Sequence, residues 1–174
     1  ATALLSTLVQ RFKDEGGLAL LLCTSNPIAG TLYENHGFWY TVGDGMRYLA
    51  PGAEDFEESY LAYAGSARIR DATWADLPRI SVLYNHREPT WLVKDYLSEA
   101  FRDTRYERHF VRLMRRVEDG RGTYLVLENP QRRVVGAAVF ERLDTFFEQH
   151  VAVFSLRVCP TYIGQAGELV EAAA

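Results

Sequence analysis

Residues 26–38 of the 174-residue chain read NPIAGTLYENHGF and follow an apolar run of strand length at 18–23. The two residues just before this segment are of the Ser/Thr type that caps helix N-termini, and Pro27 is favoured in a first helical turn. The pattern predicts a strand over 18–23 that leads into a helix over 26–36. Gly37 can adopt the left-handed conformation that ends a helix.

One face of this predicted helix is largely apolar and carries a tyrosine. Spacings of three and four residues place four side chains on that face: Ala29, Leu32, Tyr33 and His36. Tyr33 is therefore expected to point towards the protein interior. Taken alone, this pattern favours a packing role for Tyr33 over a catalytic one, because aromatic residues on such faces usually belong to the core.

The composition is that of a globular protein, with 48% hydrophobic and 24% charged residues. The sequence has neither an apolar run of bilayer-spanning length nor a basic leader followed by an apolar stretch, so we expect a cytoplasmic protein that does not bind membranes. A net charge of −4 disfavours nucleic-acid binding. The histidines and cysteines show no metal-ligand spacing, and no metal site is predicted.

An acidic segment divides the chain. Residues 51–66 contain four acidic residues and no Lys or Arg, and the rest of the chain has 19 basic and 19 acidic residues. We interpret 51–66 as a connector between two units, 1–50 and 67–174.

The segment 26–38 resembles the acyl-CoA-handling helix of the GCN5-related N-acetyltransferase (GNAT) superfamily. The shared pattern is Asn, then Ala three positions on, then Leu-Tyr-Glu, a short gap and Gly-Phe. The resemblance implies an N-acetyltransferase that moves an acetyl group from acetyl-CoA to an amine, with a small molecule as the acceptor. It implies that Tyr33 is the general acid for the departing CoA thiolate and that Asn26 hydrogen-bonds the pantetheine arm. Exposed amides at the helix start would add a favourable partial charge, whereas the plain alternative for Asn26 is an N-cap.

The resemblance also implies a GNAT fold, but with the elements of its C-terminal half placed before those of its N-terminal half in the chain. Residues 1–50 predict a helix at 2–15, the strand and helix already described, and a hairpin of 38–42 with 46–49, which is the order of a GNAT C-terminal half. After the connector, the elements resemble an N-terminal half. They are a strand and first helix within 67–80, a helix over about 92–116 interrupted near 103–104, and strands at 123–127, 134–142 and 151–158. The predicted fold class is α/β, or α+β in some schemes, with a mixed, mostly antiparallel sheet flanked by helices.

The end of the chain resembles the family's cofactor strand and pyrophosphate turn. The resemblance assigns Leu156 and Val158 to the cofactor strand. It assigns Gly164 and Gly167 to the turn, as its flexible points. The sequence departs from the family pattern here, because no register of 163–168 gives the expected glycine spacing. Glu168 would also place a negative charge near the phosphates.

A general base for the amine is expected on the strand that leads to Val158. Alternate residues of a strand share one face, and many relatives carry a glutamate close to the position of Ala152. Alanine cannot take a proton, so His150, on the same face, is the candidate base. A surface histidine is the plainer interpretation, and attack through ordered water would need no protein base.

Two functions and two assemblies stay open at this point. The chain could be an enzyme, or a degenerate module that serves as scaffold, dimer interface or CoA sensor. Its halves could complete one composite site or belong to separate repeats of a tandem protein. A repeated helix start, at 1–5 and again near the C-terminal end, favours separate repeats. A homodimer, or pairing with further half-domains, would then complete each sheet.

Overall fold

The protein is described by a computed structural model at residues 2–41, 43–86, 92–95, 106–146 and 149–173. It is a mixed helix and strand protein with two antiparallel sheets, so the predicted mixed class is confirmed. The three-stranded sheet lies within residues 1–50 and the five-stranded sheet lies within 67–174. Among the described residues, no helix is long and apolar enough to cross a bilayer.

The first half forms the predicted sequence of elements. In chain order they are α1 (Thr2–Asp14), β1 (Ala19–Cys23), α2 (Pro27–Glu34), β2 (Trp39–Tyr40) and β3 (Gly45–Leu49). The strands are ordered β1-β3-β2, with β1 at one edge. Gly37 adopts a φ of 85°, the left-handed value predicted for the end of α2.

The helices α1 and α2 cover one face of the three-stranded sheet. Val9 of α1 packs with Phe38, Met46 and Tyr48, and Tyr33 of α2 lies against the same group. Since strand residues alternate between faces, Arg47 of β3 points to the opposite face, towards the second half.

The connector and the second half contribute nine α-helices and strands among the described residues. They are α3 (Phe56–Leu61), β4 (Arg68–Asp71), α4 (Leu77–Asn85), β5 (Leu92–Asp95), α5 (Tyr106–Glu118), β6 (Gly122–Glu128), β7 (Val134–Phe146), β8 (Gln149–Val158) and α6 (Ala166–Ala173). The sheet order is β4-β6-β7-β8-β5, and every pair is antiparallel. The helices α4, α5 and α6 pack on this sheet.

The structure corrects the predicted helix at its start. Residues 92–95 form strand β5 and not a helix, because their backbone pairs with the edge of β8, from Leu92 opposite Val158 to Asp95 opposite Ser155. Ladder hydrogen bonds to a sheet edge outweigh a local helical pattern. The helical part begins at Tyr106, and the predicted interruption near 103–104 lies outside the described residues.

Two further segments differ from expectation. The acidic connector contains α3, which the sequence analysis did not predict, and Leu61 anchors it in the main core. The predicted phosphate turn at 163–168 is instead the end of a 3-10 helix, Pro160–Gln165, followed by α6.

A buried carboxylate fixes the turn at 73–76 that leads into α4. Asp76 is fully buried and accepts two hydrogen bonds of 2.7 Å from the Arg70 guanidinium, one of 2.8 Å from the Thr73 backbone N–H and one of 2.9 Å from the Thr73 hydroxyl. Burial alone would raise the pKa of Asp76, but these bonds outweigh it and lower the pKa from 3.8 to about 2.

This carboxylate should make stability fall in acid. Because the pKa of Asp76 is lower in the folded state, the ionised group stabilises the fold above pH 3.8, and this contribution is lost as the pH falls through about 2. We expect the loss to be about 2 kcal/mol in the free energy of unfolding. Urea titrations at several pH values between about 2 and 4 give the free energy of unfolding as a function of pH. This dependence should be flatter for Asp76→Asn than for the wild type. The control Asp71→Asn removes an exposed carboxylate and should keep the pH dependence of the wild type. If the free energy of unfolding depends on pH in the same way in all three proteins, Asp76 does not cause the loss of stability in acid.

Candidate functional site

Asn26 lies at the junction of β1 and α2 and caps the helix. Its Oδ1 accepts hydrogen bonds from the backbone N–H groups of Ile28 at 3.0 Å and Ala29 at 3.4 Å, and its carbonyl accepts one from Gly30 at 2.8 Å. Pro27 has no N–H to offer. The first amides of α2 are therefore bonded to Asn26, which is the N-cap alternative given for this residue.

The other end of the Asn26 side chain remains available. No described residue accepts a hydrogen bond from Nδ2, and the residue is exposed. A ligand with a carbonyl oxygen could accept a hydrogen bond from Nδ2 while Oδ1 keeps the helix capped.

Tyr33 lies on the same face of α2, two helical turns beyond Asn26. The residue is half-buried, as the apolar face predicts, and its ring centroid is 5.5 Å from that of Phe38. No described residue makes a hydrogen bond with its hydroxyl. Packing therefore fixes the ring and leaves the hydroxyl open to an added group.

Strand β1 ends just before Asn26 and presents an open edge. It pairs with β3 on one side, and no described strand pairs with the other. Leu20 and Leu22 contact the cluster that holds Tyr33. The pantetheine arm of CoA contains two amide groups, which can pair with strand backbone. The free amide of Asn26 and the edge of β1 are donors and acceptors that fit such an arm.

The second half offers a different environment at the residues assigned to the cofactor. Leu156 and Val158 are buried, and the backbone of their strand pairs with Lys94 and Leu92 of β5. This pairing occupies the edge that a pantetheine arm would need. The edge of β8 therefore does not fit the cofactor at these residues.

The predicted glycine positions are helical. Gly164 lies in the 3-10 helix and Gly167 in the first turn of α6, and a Cβ added at either would meet no atom within 4 Å. Neither glycine is required by close packing in this structure. The exposed carboxylate of Glu168 follows directly, so the segment does not fit a pyrophosphate.

The candidate base His150 belongs to β8. The backbone of His150 lies in β8 opposite Thr145, as the predicted strand requires. Its side chain lies outside the described part of the structure, so its role as a base stays a prediction.

A polar cluster that the sequence analysis missed joins the two halves. We define the junction cluster as Arg47, Glu57, Asn85 and His86. The Arg47 guanidinium donates to the Glu57 carboxylate and, at 3.0 Å, to the Asn85 carbonyl. Glu57 Oε2 lies 3.1 Å from His86 Nδ1. The Thr41 hydroxyl donates to Asn85 Oδ1 at 3.0 Å.

The junction cluster holds Glu57 ionised. Burial would raise the pKa of Glu57, but the neighbouring His86 imidazole and Arg47 guanidinium outweigh burial and lower it. Arg157 of β8 donates to the carbonyl of His86, which connects the cluster to the five-stranded sheet. The connector and the two halves of the chain therefore meet at the junction cluster. Its members come from three separate segments of the sequence, so no single local motif signals it.

A cavity of about 690 Å³ lies beside the junction cluster, between α3, the end of α4 and the segment that follows β8. Four carboxylates line it: Glu54, Asp55, Glu57 and Glu58. Cys159 and Thr161, which follow the predicted cofactor strand, line the opposite side. Such a lining repels phosphate groups, so this cavity is unsuited to the pyrophosphate of CoA.

Comparison with known proteins finds no matching family model, no matching curated protein and no matching solved structure. Among the described residues, no group of three or more His, Cys, Asp or Glu could hold a metal ion. The features that bear on function are Asn26, Tyr33 and the edge of β1.

Proposed function

We propose that the chain is part of a cytoplasmic N-acetyltransferase of the GNAT type, which moves an acetyl group from acetyl-CoA to the amine of a small molecule. The observation that carries the proposal is the position of Asn26 and Tyr33, on one face of α2 at the end of a strand with an open edge. The first half would supply one wall of the cofactor site.

Each residue has a distinct role in this proposal. Bound acetyl-CoA supplies the activated acetyl thioester. Asn26 Nδ2 donates to a carbonyl of the pantetheine arm, and the edge of β1 pairs with its amides. The Tyr33 hydroxyl gives its proton to the departing sulfur. His150 stays the proposed base for the amine, with ordered water as the alternative.

Apart from His150, the second half would act as a scaffold that does not bind the cofactor, in a tandem arrangement. Two observations support this division: β5 covers the edge of β8 at Leu156 and Val158, and the adjoining cavity is acidic. The same observations favour a second function for the whole chain, that of a module without catalysis. Measurement of acetyl-CoA binding separates the two functions.

Substitutions of Asn26 can test the site without removing the helix cap. In Asn26→Asp the carboxylate still accepts from Ile28 and Ala29 but cannot donate to a ligand. We expect acetyl-CoA binding to weaken by about 1–2 kcal/mol, as for one lost hydrogen bond, with the melting temperature retained. Asn26→Ala should lose both the ligand contact and about 1 kcal/mol of stability. Calorimetric titration and thermal unfolding measure the two effects.

Two results would contradict the proposed site. If Asn26→Asp binds acetyl-CoA as tightly as the wild type, Asn26 is only a helix cap. If the wild-type chain gives no binding heat with acetyl-CoA, the scaffold function is favoured.

A further inference from the structure

Ser6 of α1 and His36, just after α2, meet where the two helices touch. Ser6 Oγ lies 3.1 Å from His36 Nε2, and His36 Nδ1 lies 2.8 Å from the carbonyl oxygen of Leu32. A carbonyl oxygen can only accept a hydrogen bond, so Nδ1 must carry the proton and donate it. In the neutral ring Nε2 is then an acceptor, and the Ser6 hydroxyl donates to it.

This is the arrangement of a serine activated by a base. The nucleophile contacts the imidazole on one side, and a third group on the other side fixes the ring and its tautomer. Nearby hydroxyls lack this feature, since Thr7 donates to the Ala3 carbonyl at 2.9 Å and Thr31 to the Pro27 carbonyl at 3.1 Å. A carbonyl cannot take up a proton at neutral pH. Among these three hydroxyls, only that of Ser6 faces a base.

The accessibility of Ser6 also fits a reactive group. Ser6 is exposed, so an acyl donor can approach its oxygen, whereas His36 is half-buried and held by the Leu32 carbonyl. An exposed nucleophile with a fixed base can react with a donor that is already activated.

We propose that Ser6 and His36 form a nucleophile and base pair that accepts an acyl group, from an activated ester or thioester, on Ser6 Oγ. Oγ forms a bond to the carbonyl carbon while its proton passes to His36 Nε2. The bond from that carbon to the leaving oxygen or sulfur breaks, and His36 returns the proton to the leaving group. The product is an ester of Ser6. This acceptor site goes beyond the proposed function and does not require acetyl-CoA to bind at Asn26.

The test uses p-nitrophenyl acetate as the donor and the whole chain as the acceptor. We expect about one equivalent of p-nitrophenolate to be released per chain, with one acetyl group located on Ser6 by peptide mass mapping. Neutral hydroxylamine should remove that group, because it cleaves esters and leaves amides intact. Ser6→Ala should abolish the labelling of this position. His36→Gln should slow it about a hundredfold, as expected for loss of a general base.

Controls separate this site from its surroundings. Thr7→Ala removes a neighbouring hydroxyl on α1 and should label like the wild type. Asn26→Asp should also label like the wild type, so failure of the cofactor site would leave this result unchanged. Ser6 lies at an exposed helical position, where alanine is well tolerated, so Ser6→Ala decides the question even if His36→Gln unfolds.

Two outcomes would overturn the proposal. One is acetylation that resists hydroxylamine and maps to amino groups such as that of Lys13. The other is full release of p-nitrophenolate by Ser6→Ala together with its loss in His36→Gln, which would make the imidazole itself the nucleophile.

Discussion

Replacing Glu57 with glutamine is expected to lower the free energy of unfolding by about 3 kcal/mol, because it leaves the buried guanidinium of Arg47 without a balancing charge. The Arg47 side chain is 7% exposed and that of Glu57 is 27% exposed. Loss of one partner of a buried ion pair costs about 3–5 kcal/mol, and the partial exposure of Glu57 places this pair at the lower end. Urea unfolding at neutral pH measures the effect.

The neighbouring residue provides a matched control. Glu58 lies on the same short helix, lines the same cavity and makes no ion pair with a described residue. Glu58→Gln should therefore change the free energy of unfolding by less than about 0.5 kcal/mol. If Glu57→Gln and Glu58→Gln have equal effects, the junction cluster does not hold the halves together as described.

Tyr33→Phe is expected to reduce turnover by one to three orders of magnitude with any amine that the protein acetylates, if Tyr33 protonates the departing thiolate. The substitution keeps the ring that packs on Phe38 and removes only the hydroxyl. Folding and acetyl-CoA binding should therefore change little. Steady-state kinetics, together with calorimetric titration of acetyl-CoA, separates turnover from binding.

Tyr48→Phe is the control for this substitution. Tyr48 belongs to the same apolar cluster, and its ring also contacts Phe38, with centroids 5.5 Å apart. Tyr48→Phe removes the same single oxygen, but Tyr48 is not part of the proposed site. Turnover should therefore stay near the wild-type value. Equal turnover in wild type and Tyr33→Phe would remove Tyr33 from the chemistry and return it to a packing role.

The predictable parts of the structure are those decided by neighbours in the sequence. The strand β1, the helix α2 and the left-handed Gly37 follow from a short apolar run, residue types at the helix start and one glycine. Asn26 and Tyr33 come together for the same reason, since one helix carries both. A local pattern was sufficient for this part of the candidate site.

The parts that sequence reasoning missed depend on contacts between distant segments. Strand β5 was predicted as helix because its own residues fit a helical pattern, and only the edge of β8 makes it a strand. The connector helix α3 is short and acidic, and its stability comes from Leu61 packing in the main core. The contact of Arg47 with Glu57 and the Asn85 carbonyl has no period or spacing that a sequence could display.

The two contacts of the junction cluster close chain loops of very different length. Arg47 and Glu57 are 10 residues apart, whereas the bond from Arg157 to the His86 carbonyl spans 71 residues. Closing the longer loop costs about 2 kcal/mol more in chain entropy, from the logarithmic dependence on loop length. Loop entropy therefore favours forming the contact between the connector and the first half before the contact between β8 and the His86 carbonyl.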